Sequence, residues 1–179
     1  MTMNEATAKS GDPLEEAAGR SAIILRTLID VSRIITNARG LDETLTHTVN
    51  VVAESLHVDV CSIYIYDQDS GLLELKATHG LSQKAVGKVR MATDEGLIGL
   101  VIEQQSPVNL SDVSHHPRFK YFQGINEDKL ASFLGVPLIE YRRILGVLTI
   151  QNLEDRLFSS EEETLLIMIA SQISGLISK

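Results

Sequence analysis

The chain has 179 residues, which suits one compact domain rather than two. Hydrophobic residues make up 44% of it and charged residues 22%, the balance of a folded protein rather than of a disordered or membrane-embedded one. Sixteen Lys and Arg against 24 Asp and Glu leave a formal charge of -8. This charge argues against a nucleic-acid partner, because binding to phosphates needs an excess of cations. The single cysteine, Cys61, excludes an intramolecular disulfide.

The first 13 residues are small and polar, and they predict a disordered leader ahead of one folded domain over residues 14–179. This leader lacks the apolar run of a secretory signal. The longest apolar stretches, such as residues 144–150, are far shorter than the roughly 20 residues that a membrane-spanning helix needs. We therefore expect a cytoplasmic protein that does not enter a membrane.

Two helices are predicted before any strand. Apolar residues recur every three to four positions over residues 14–37 and again over residues 41–57, as on one face of a helix. The pattern then alternates every second residue over 60–66, which predicts a central strand. Turn-forming residues follow, and residues 72–78 return as the second strand of an antiparallel hairpin.

The second half of the chain continues with strands around an insertion. Further strands are predicted at residues 87–91, 107–110, 132–139 and 144–152. Asp94 is the expected cap of a short helix over residues 95–102, and residues 111–129 form a long irregular segment. Pro137 favours an edge or bulge position in its strand. Ser159 or Ser160, followed by three glutamates, opens a last helix over residues 160–178.

This order of elements predicts an α+β fold. Strands that are grouped between terminal helices form a central antiparallel sheet of five or six strands. We expect the helices 14–37, 41–57 and 160–178 on one face of this sheet, and the insertion with its short helix on the other.

Seven motifs resemble those of GAF domains in their order and spacing. They are CSIYIYD at 61–67, ATHGL at 77–81, EGLIGLV at 95–101, NLSD at 109–112, HPRF at 116–119, LGVPL at 134–138 and LGVL at 145–148. Within that family, DVCS at 59–62, THGL at 78–81 and SFLGVP at 132–137 look most like the amino-terminal domain of nitrogen-type phosphoenolpyruvate-protein phosphotransferases. The amino-terminal domains of nitrogen-fixation activators are also similar.

The resemblance implies a sensor that is not itself an enzyme and holds no cofactor. A small metabolite, glutamine or oxoglutarate, would regulate phosphorylation by effector domains of the same chain, and the signal would pass through the terminal helices. Two alternatives stay open. One is a ligand-free dimerisation or interaction module, and the other is the sensor domain of a transcriptional activator or a histidine kinase.

The resemblance also implies where a ligand would bind. In GAF domains that hold ligands the pocket lies between the sheet and the insertion. The matching positions here are Thr78, His79, Leu97, Ile98, Phe119, Tyr121 and Phe122, with Tyr64 and Ser132 if their side chains face the insertion. Independently, a helix entered through Gly96 presents unpaired N–H groups that suit a carboxylate or phosphate. The alternative is that Gly96 and Gly99 only allow close packing on the sheet.

Other chemistry is disfavoured. His115 and His116 adjoin Asp112, but neighbouring residues seldom point at one ion and a third ligand is not evident, so no metal site is predicted. Cys61 lies in a predicted buried strand, where thiols are usually inert. Leu153 stands where cyclic-nucleotide-binding GAF domains have a lysine, which puts a cyclic nucleotide in doubt. No catalytic residue is predicted.

The first helix carries more apolar residues than one face needs. Ile23 and Ile24 extend its apolar surface, and exposed apolar surface of this kind favours pairing with a partner. We therefore expect a homodimer through the terminal helices.

Overall fold

The computed structural model describes residues 11–120 and 129–179. The elements in this part of the chain are α1 (Pro13–Thr36), α2 (Leu41–Leu56), β1 (Val60–Asp67), β2 (Leu72–His79), β3 (Arg90–Met91), α3 (Gly96–Gln104), β4 (Val108–Leu110), β5 (Ser132–Glu140), β6 (Arg143–Asn152) and α4 (Ser160–Ile177). Single turns of 3₁₀ helix occur at Gln83–Ala85 and Val113–His115. Among these described residues, no helix combines the length and apolar character needed to traverse a lipid bilayer.

The strands form one antiparallel sheet in the order β3-β2-β1-β6-β5-β4. This confirms the predicted α+β fold with its central sheet. β1 lies inside the sheet, because it pairs with β2 on one side and with β6 on the other. Pro137 pairs with Val147 of β6, whereas β4 reaches β5 only from Phe133 to Gly135. Pro137 therefore lies at a local edge, where its missing N–H breaks no ladder bond.

The three long helices pack on one face of the sheet, as predicted. Cys61 and Ile63 of β1 and Leu148 of β6 meet Val49 of α2 and Ile169 of α4 in a buried apolar core. Each such side chain stabilises the fold by about 1.5–3 kcal/mol when it is fully buried. The sheet is thus anchored to the terminal helices through alternate residues of its central strands.

A second apolar core lies on the opposite face, under α3. Tyr64, Phe133 and Val147 of the sheet contact Leu97 and Val101 of α3 there. The pairing of β1 with β2 contains a bulge beside Tyr64. Because a bulge adds one residue to one strand, the alternation of β2 changes at that point. Leu75 therefore faces α3, whereas Ala77 faces the long helices.

The capping residue predicted from the sequence is wrong for α3, and α1 begins close to its predicted start. α1 begins at Pro13, one residue earlier than predicted, and the Asp12 side chain accepts a hydrogen bond from the Leu14 N–H at 3.0 Å. The prediction that Asp94 caps α3 is wrong, because the N-cap is Glu95 and its side chain makes no capping bond. Gly99 allows a close approach, since a Cβ there would lie 2.6 Å from the Asp94 carbonyl carbon.

Candidate functional site

A cavity lies between the sheet and α3. Its volume is about 30 Å³, enough for about two water molecules. The residues that line it are Tyr64, Met91, Glu95, Gly96, Leu97, Ile98, Phe119, Lys120, Phe133 and Gln151. The strands supply its floor and α3 supplies its roof, so most of the space between these two layers is already occupied by the protein's own side chains.

Four of the residues predicted for the site come together at this cavity, namely Tyr64, Leu97, Ile98 and Phe119. Tyr64 is buried on the α3 side of the sheet. Tyr121 and Phe122 lie outside the described residues.

The structure does not bring the other three predicted residues to the cavity. Thr78 is buried and does not line it; its Oγ1 lies 2.8 Å from the Oγ of Ser62. His79 faces α2, where its Nδ1 lies 2.8 Å from Oδ1 of Asn50. Ser132 shares a side of β5 with Leu134, and its Oγ donates to the Glu154 carbonyl. The bulge in the β1–β2 pairing and the start of β5 set these orientations.

Gln151 is the main site residue that was missed from the sequence. It lies in β6 opposite Phe133 of β5, and the residue is only 7% exposed. A buried glutamine is an informative exception to the usual burial preferences, and it lies between two other buried polar residues of β6, Thr149 and Asn152. That signal was present in the sequence, but the side of the sheet that Gln151 faces was not.

Gln151 and the start of α3 both present polar groups to the cavity. Among the described residues, no group hydrogen-bonds to the Gln151 carboxamide, and no acceptor meets the N–H groups of Gly96, Leu97 and Ile98. The first N–H group with a backbone partner is that of Gly99, which donates to the Glu95 carbonyl at 2.8 Å. The cavity therefore offers hydrogen-bond donors that the described chain does not use.

Two ion pairs tie the segment before residue 121 to α3. Lys120 pairs with Glu95 beside the cavity, and Arg118 reaches Glu103 at 2.8 Å and the Asp94 carbonyl at 2.9 Å. The hydrogen bond from Lys120 lowers the pKa of Glu95, and the bond from Arg118 lowers the pKa of Glu103. All four side chains are partly solvated, so solvent screening keeps both pairs weak.

The other reactive side chains have local partners or are inaccessible. Burial raises the pKa of the Cys61 thiol, which keeps it protonated. His115 Nδ1 lies 2.7 Å from Oδ1 of Asp112, and this hydrogen bond raises the pKa of His115. Within residues 11–120 and 129–179, no three metal-ligating side chains come close enough to share an ion.

The sequence and structure comparisons both find similarity to phosphotransferase proteins. A solved GAF domain of a phosphoenolpyruvate-protein phosphotransferase from Coxiella burnetii is 38% identical, with a TM-score of 0.84 over 88% of this chain and 94% of that one. The phosphoenolpyruvate-dependent phosphotransferase system protein of Escherichia coli is 36% identical over 87% of this chain. The Nif-specific regulatory protein of Azospirillum lipoferum is 29% identical over 75% of it. The chain spans about a fifth of the length of these two curated relatives, 21% and 22%.

These similarities confirm the resemblance found in the sequence motifs. The model of the GAF domain family matches residues 40–177, which include α2, α3, α4 and the whole sheet. The chain therefore belongs to the GAF domain family.

Proposed function

We propose that this protein is the small-molecule-sensing regulatory domain of a nitrogen-type phosphoenolpyruvate-protein phosphotransferase. Its ligand would be glutamine or oxoglutarate, and effector domains of the same chain would be its targets in the cytoplasm. The observation that carries the proposal is the cavity under α3, where unused hydrogen-bond donors converge among apolar side chains. The similarity to phosphotransferase proteins of Escherichia coli and Coxiella burnetii supports the choice of parent protein.

The size of the cavity indicates how a ligand would enter. A space of about 30 Å³ admits one small functional group and not a whole metabolite. α3 and Phe119 must therefore move away from the sheet when a metabolite binds. The pairs of Lys120 and Arg118 with α3 are the links to be broken, and because they are partly solvated they cost little to open.

The sheet offers a route from the cavity to the terminal helices. β1 presents Tyr64 to the cavity and Ile63 to the core beneath α2 and α4, while β6 presents Gln151 and Ile150 in the same way. A ligand that prefers the open cavity shifts the protein toward that state, because binding favours the conformation with the higher affinity. Such coupling between two sites is typically about 1–3 kcal/mol.

Titration calorimetry tests the proposed function. We expect saturable heat with glutamine or oxoglutarate, and none with cyclic GMP or cyclic AMP at the same concentrations. The cyclic nucleotides serve as controls for non-specific heats. Heat from neither of the two nitrogen metabolites would contradict the proposal.

A second candidate is a ligand-free dimerisation module, and the small cavity favours it. The dimer surface would be the apolar stripe of α1, where Leu14, Leu25 and Ile29 are exposed, Leu25 by 59%. These residues recur at helical spacing, away from the buried Thr27 and Val31, so the stripe is available to a second copy. A sensing domain would use the same surface to transmit its signal, so a dimer is part of both proposals.

Sedimentation equilibrium tests the dimer. We expect the wild-type protein to associate reversibly into dimers and Leu25→Glu to be monomeric, because a charge in an apolar interface is costly to desolvate. Leu153→Glu is the matched control, since Leu153 is similarly exposed (53%) but follows β6. A wild-type protein that is monomeric at every concentration would contradict the predicted dimer. A Leu25→Glu variant that still associates would contradict the predicted dimer surface.

The relationship to Nif-specific regulatory proteins supports a third candidate, the sensor domain of a transcriptional activator. The identity is lower, at 29% over 75% of this chain. The two candidates differ in the effector domain that the same chain would carry, which is a transcriptional activator in one case and a phosphotransferase in the other.

A further inference from the structure

The connection between β6 and α4 (residues 153–159) is hydrogen-bonded to both ends of the insertion that lies between β4 and β5. Where the insertion leaves the sheet, the Asp112 N–H donates to Oδ1 of Asp155 at 2.7 Å. Where the chain returns to the sheet, the Ser132 Oγ donates to the Glu154 carbonyl. The segment that leads into α4 therefore contacts the insertion at its beginning and at its end.

A second set of hydrogen bonds joins the same connection to β4, the strand that leads into the insertion. The Asn109 side chain of β4 binds the backbone of Phe158 twice. Its Nδ2 donates to the Phe158 carbonyl at 2.9 Å, and its Oδ1 accepts the Phe158 N–H at 3.0 Å. Phe158 is buried in the core beneath the long helices and immediately precedes Ser159, the N-cap of α4. The start of the insertion is thus bonded to the residue that comes before the cap of α4.

Residues 112–119, named the arm here, join these bonds to α3. Within the arm, the His116 N–H donates to the Val113 carbonyl at 3.0 Å, and the Arg118 N–H donates to Nδ1 of His116 at 3.0 Å. At its far end, the Arg118 guanidinium lies 2.8 Å from the Glu103 carboxylate of α3. Since contiguous hydrogen-bonded segments open as cooperative units, we expect the arm to move as one piece.

We propose that the connection between β6 and α4 couples the position of the arm to the start of α4, with Asp155 and Asn109 as the positioning residues. When the arm leaves α3, its bond to Asp155 loosens, and the capping box of Ser159 with Glu162 loosens with it. The coupling rests on the proposed function, which requires α3 to move and a terminal helix to respond. It is separate from the route through the sheet, because it uses no residue of β1 or β6.

Amide hydrogen exchange of the protein without a metabolite, followed by nuclear magnetic resonance, tests the coupling. The substitution Arg118→Met removes the contacts of the arm with Glu103 and with the Asp94 carbonyl. We expect the N–H groups of Ser159 and Glu162 to exchange about two- to fivefold faster, the effect of losing a weak surface ion pair when both regions open together. Exchange of these two groups at the wild-type rate would overturn the coupling.

Two controls distinguish coupling from a general loss of stability. Arg90→Met also removes a partly exposed arginine from an ion pair with a glutamate, but it lies in β3, at the opposite edge of the sheet from β4. We expect it to leave the exchange at Ser159 unchanged. The N–H of Ile169, in the middle of α4, reports global unfolding. Equal acceleration at Ile169 and at Ser159 in Arg118→Met would overturn the coupling.

Removal of the proposed links tests the two positioning residues. Asp155 is exposed, and Asp155→Ala removes the acceptor of the Asp112 N–H, so we expect the effect of Arg118→Met at the cap of α4 to fall at least by half. With Asn109→Leu added, we expect no effect. Glu154→Ala is the matched control, since this exposed neighbour bonds to the insertion only through its backbone. An undiminished effect in Asp155→Ala would overturn this route.

Failure of the coupling is distinguishable from failure of the proposed function, because the exchange is measured without a metabolite. If the cap of α4 responds to Arg118→Met but neither nitrogen metabolite gives heat, the coupling stands and the choice of ligand fails. If glutamine or oxoglutarate binds but the exchange at the cap does not change in Arg118→Met, the sensing role stands and the coupling is overturned.

Discussion

Replacing Gly146 with alanine is expected to lower the free energy of unfolding by about 3 kcal/mol or more. Gly146 lies in β6 opposite Ile65 of β1, and a Cβ built on it would be 2.0 Å from the Tyr64 carbonyl oxygen. The Ile65 Cα would also be within 3.1 Å. These are backbone atoms of a central strand, so the clash is relieved only by parting β1 from β6.

Urea unfolding of Gly146→Ala measures this loss, and Gly19→Ala is the matched control. Gly19 lies in the interior of α1, and a Cβ there meets no atom within 4 Å. The control is therefore expected to gain about 0.5–1 kcal/mol from the lower conformational freedom of alanine. A Gly146→Ala variant as stable as the wild type would contradict the close contact of β1 with β6 that holds Tyr64 under α3.

Replacing Arg156 with methionine is expected to cost about 2 kcal/mol at pH 7, because it leaves a half-buried carboxylate without its cation. Arg156 contacts Glu162 through both terminal nitrogens, at 3.0 and 3.2 Å, and its guanidinium carbon lies 4.8 Å from the centre of the Phe158 ring. Glu162 in turn accepts the Ser159 N–H at 2.9 Å, closing the capping box at the start of α4.

The loss is expected to depend on pH with a defined sign. Burial raises the pKa of Glu162, but the Arg156 guanidinium and the Ser159 N–H outweigh burial and leave the pKa below its ordinary value. A carboxyl with a lowered folded-state pKa stabilises the fold above its unfolded pKa of about 4.3, and this contribution is lost as the pH falls through the folded value. The cost of Arg156→Met should therefore shrink between about pH 5 and pH 3.

Denaturant unfolding at pH 7 and at pH 3 measures this dependence. In a Glu162→Gln background, the Arg156 substitution is expected to cost less than half as much at pH 7, because the uncharged amide needs no cation. An equal cost at both pH values, or in both backgrounds, would show that Arg156 acts only through its packing on Phe158.

The helices and the order of strands were predictable because their signals are local. α2 and α4 occur within one residue of the predicted bounds, and Ser159 with Glu162 forms the capping box that the serine and glutamates indicated. The short helix of the insertion was predicted over residues 95–102, and it begins one residue later and ends two residues later, at Gly96 and Gln104. Its cap also differs, since the N-cap is Glu95 rather than Asp94.

The side of the sheet that each residue faces was not predictable, because it depends on pairing between distant strands. Tyr64 reaches the cavity as predicted, but the bulge beside it gives β2 an extra residue. That shift directs Thr78 toward Ser62 and His79 toward Asn50 of α2. The pattern of β2 alone does not show this bulge, and His79 was assigned to the site only because its position matches the pocket of GAF domains that hold ligands.

The ion pairs beside the cavity could not be predicted from the sequence either. Lys120 and Glu95 are 25 residues apart, and nothing local links them. Their pairing follows from the packing of the segment before residue 121 against α3. Gln151, by contrast, was visible as a polar residue in a mostly apolar strand, and knowledge of the strand pairing would have placed it opposite Phe133.

A crystal structure grown with glutamine or oxoglutarate, whichever binds in solution, shows whether the metabolite binds between α3 and the sheet. We predict density for the metabolite between α3 and the sheet, in contact with Leu97 and Phe119, and α3 displaced outward from its present position. Density for the same metabolite at another surface, such as the groove between Ile23 of α1 and Leu56 of α2, with the space under α3 still filled by side chains, would contradict it.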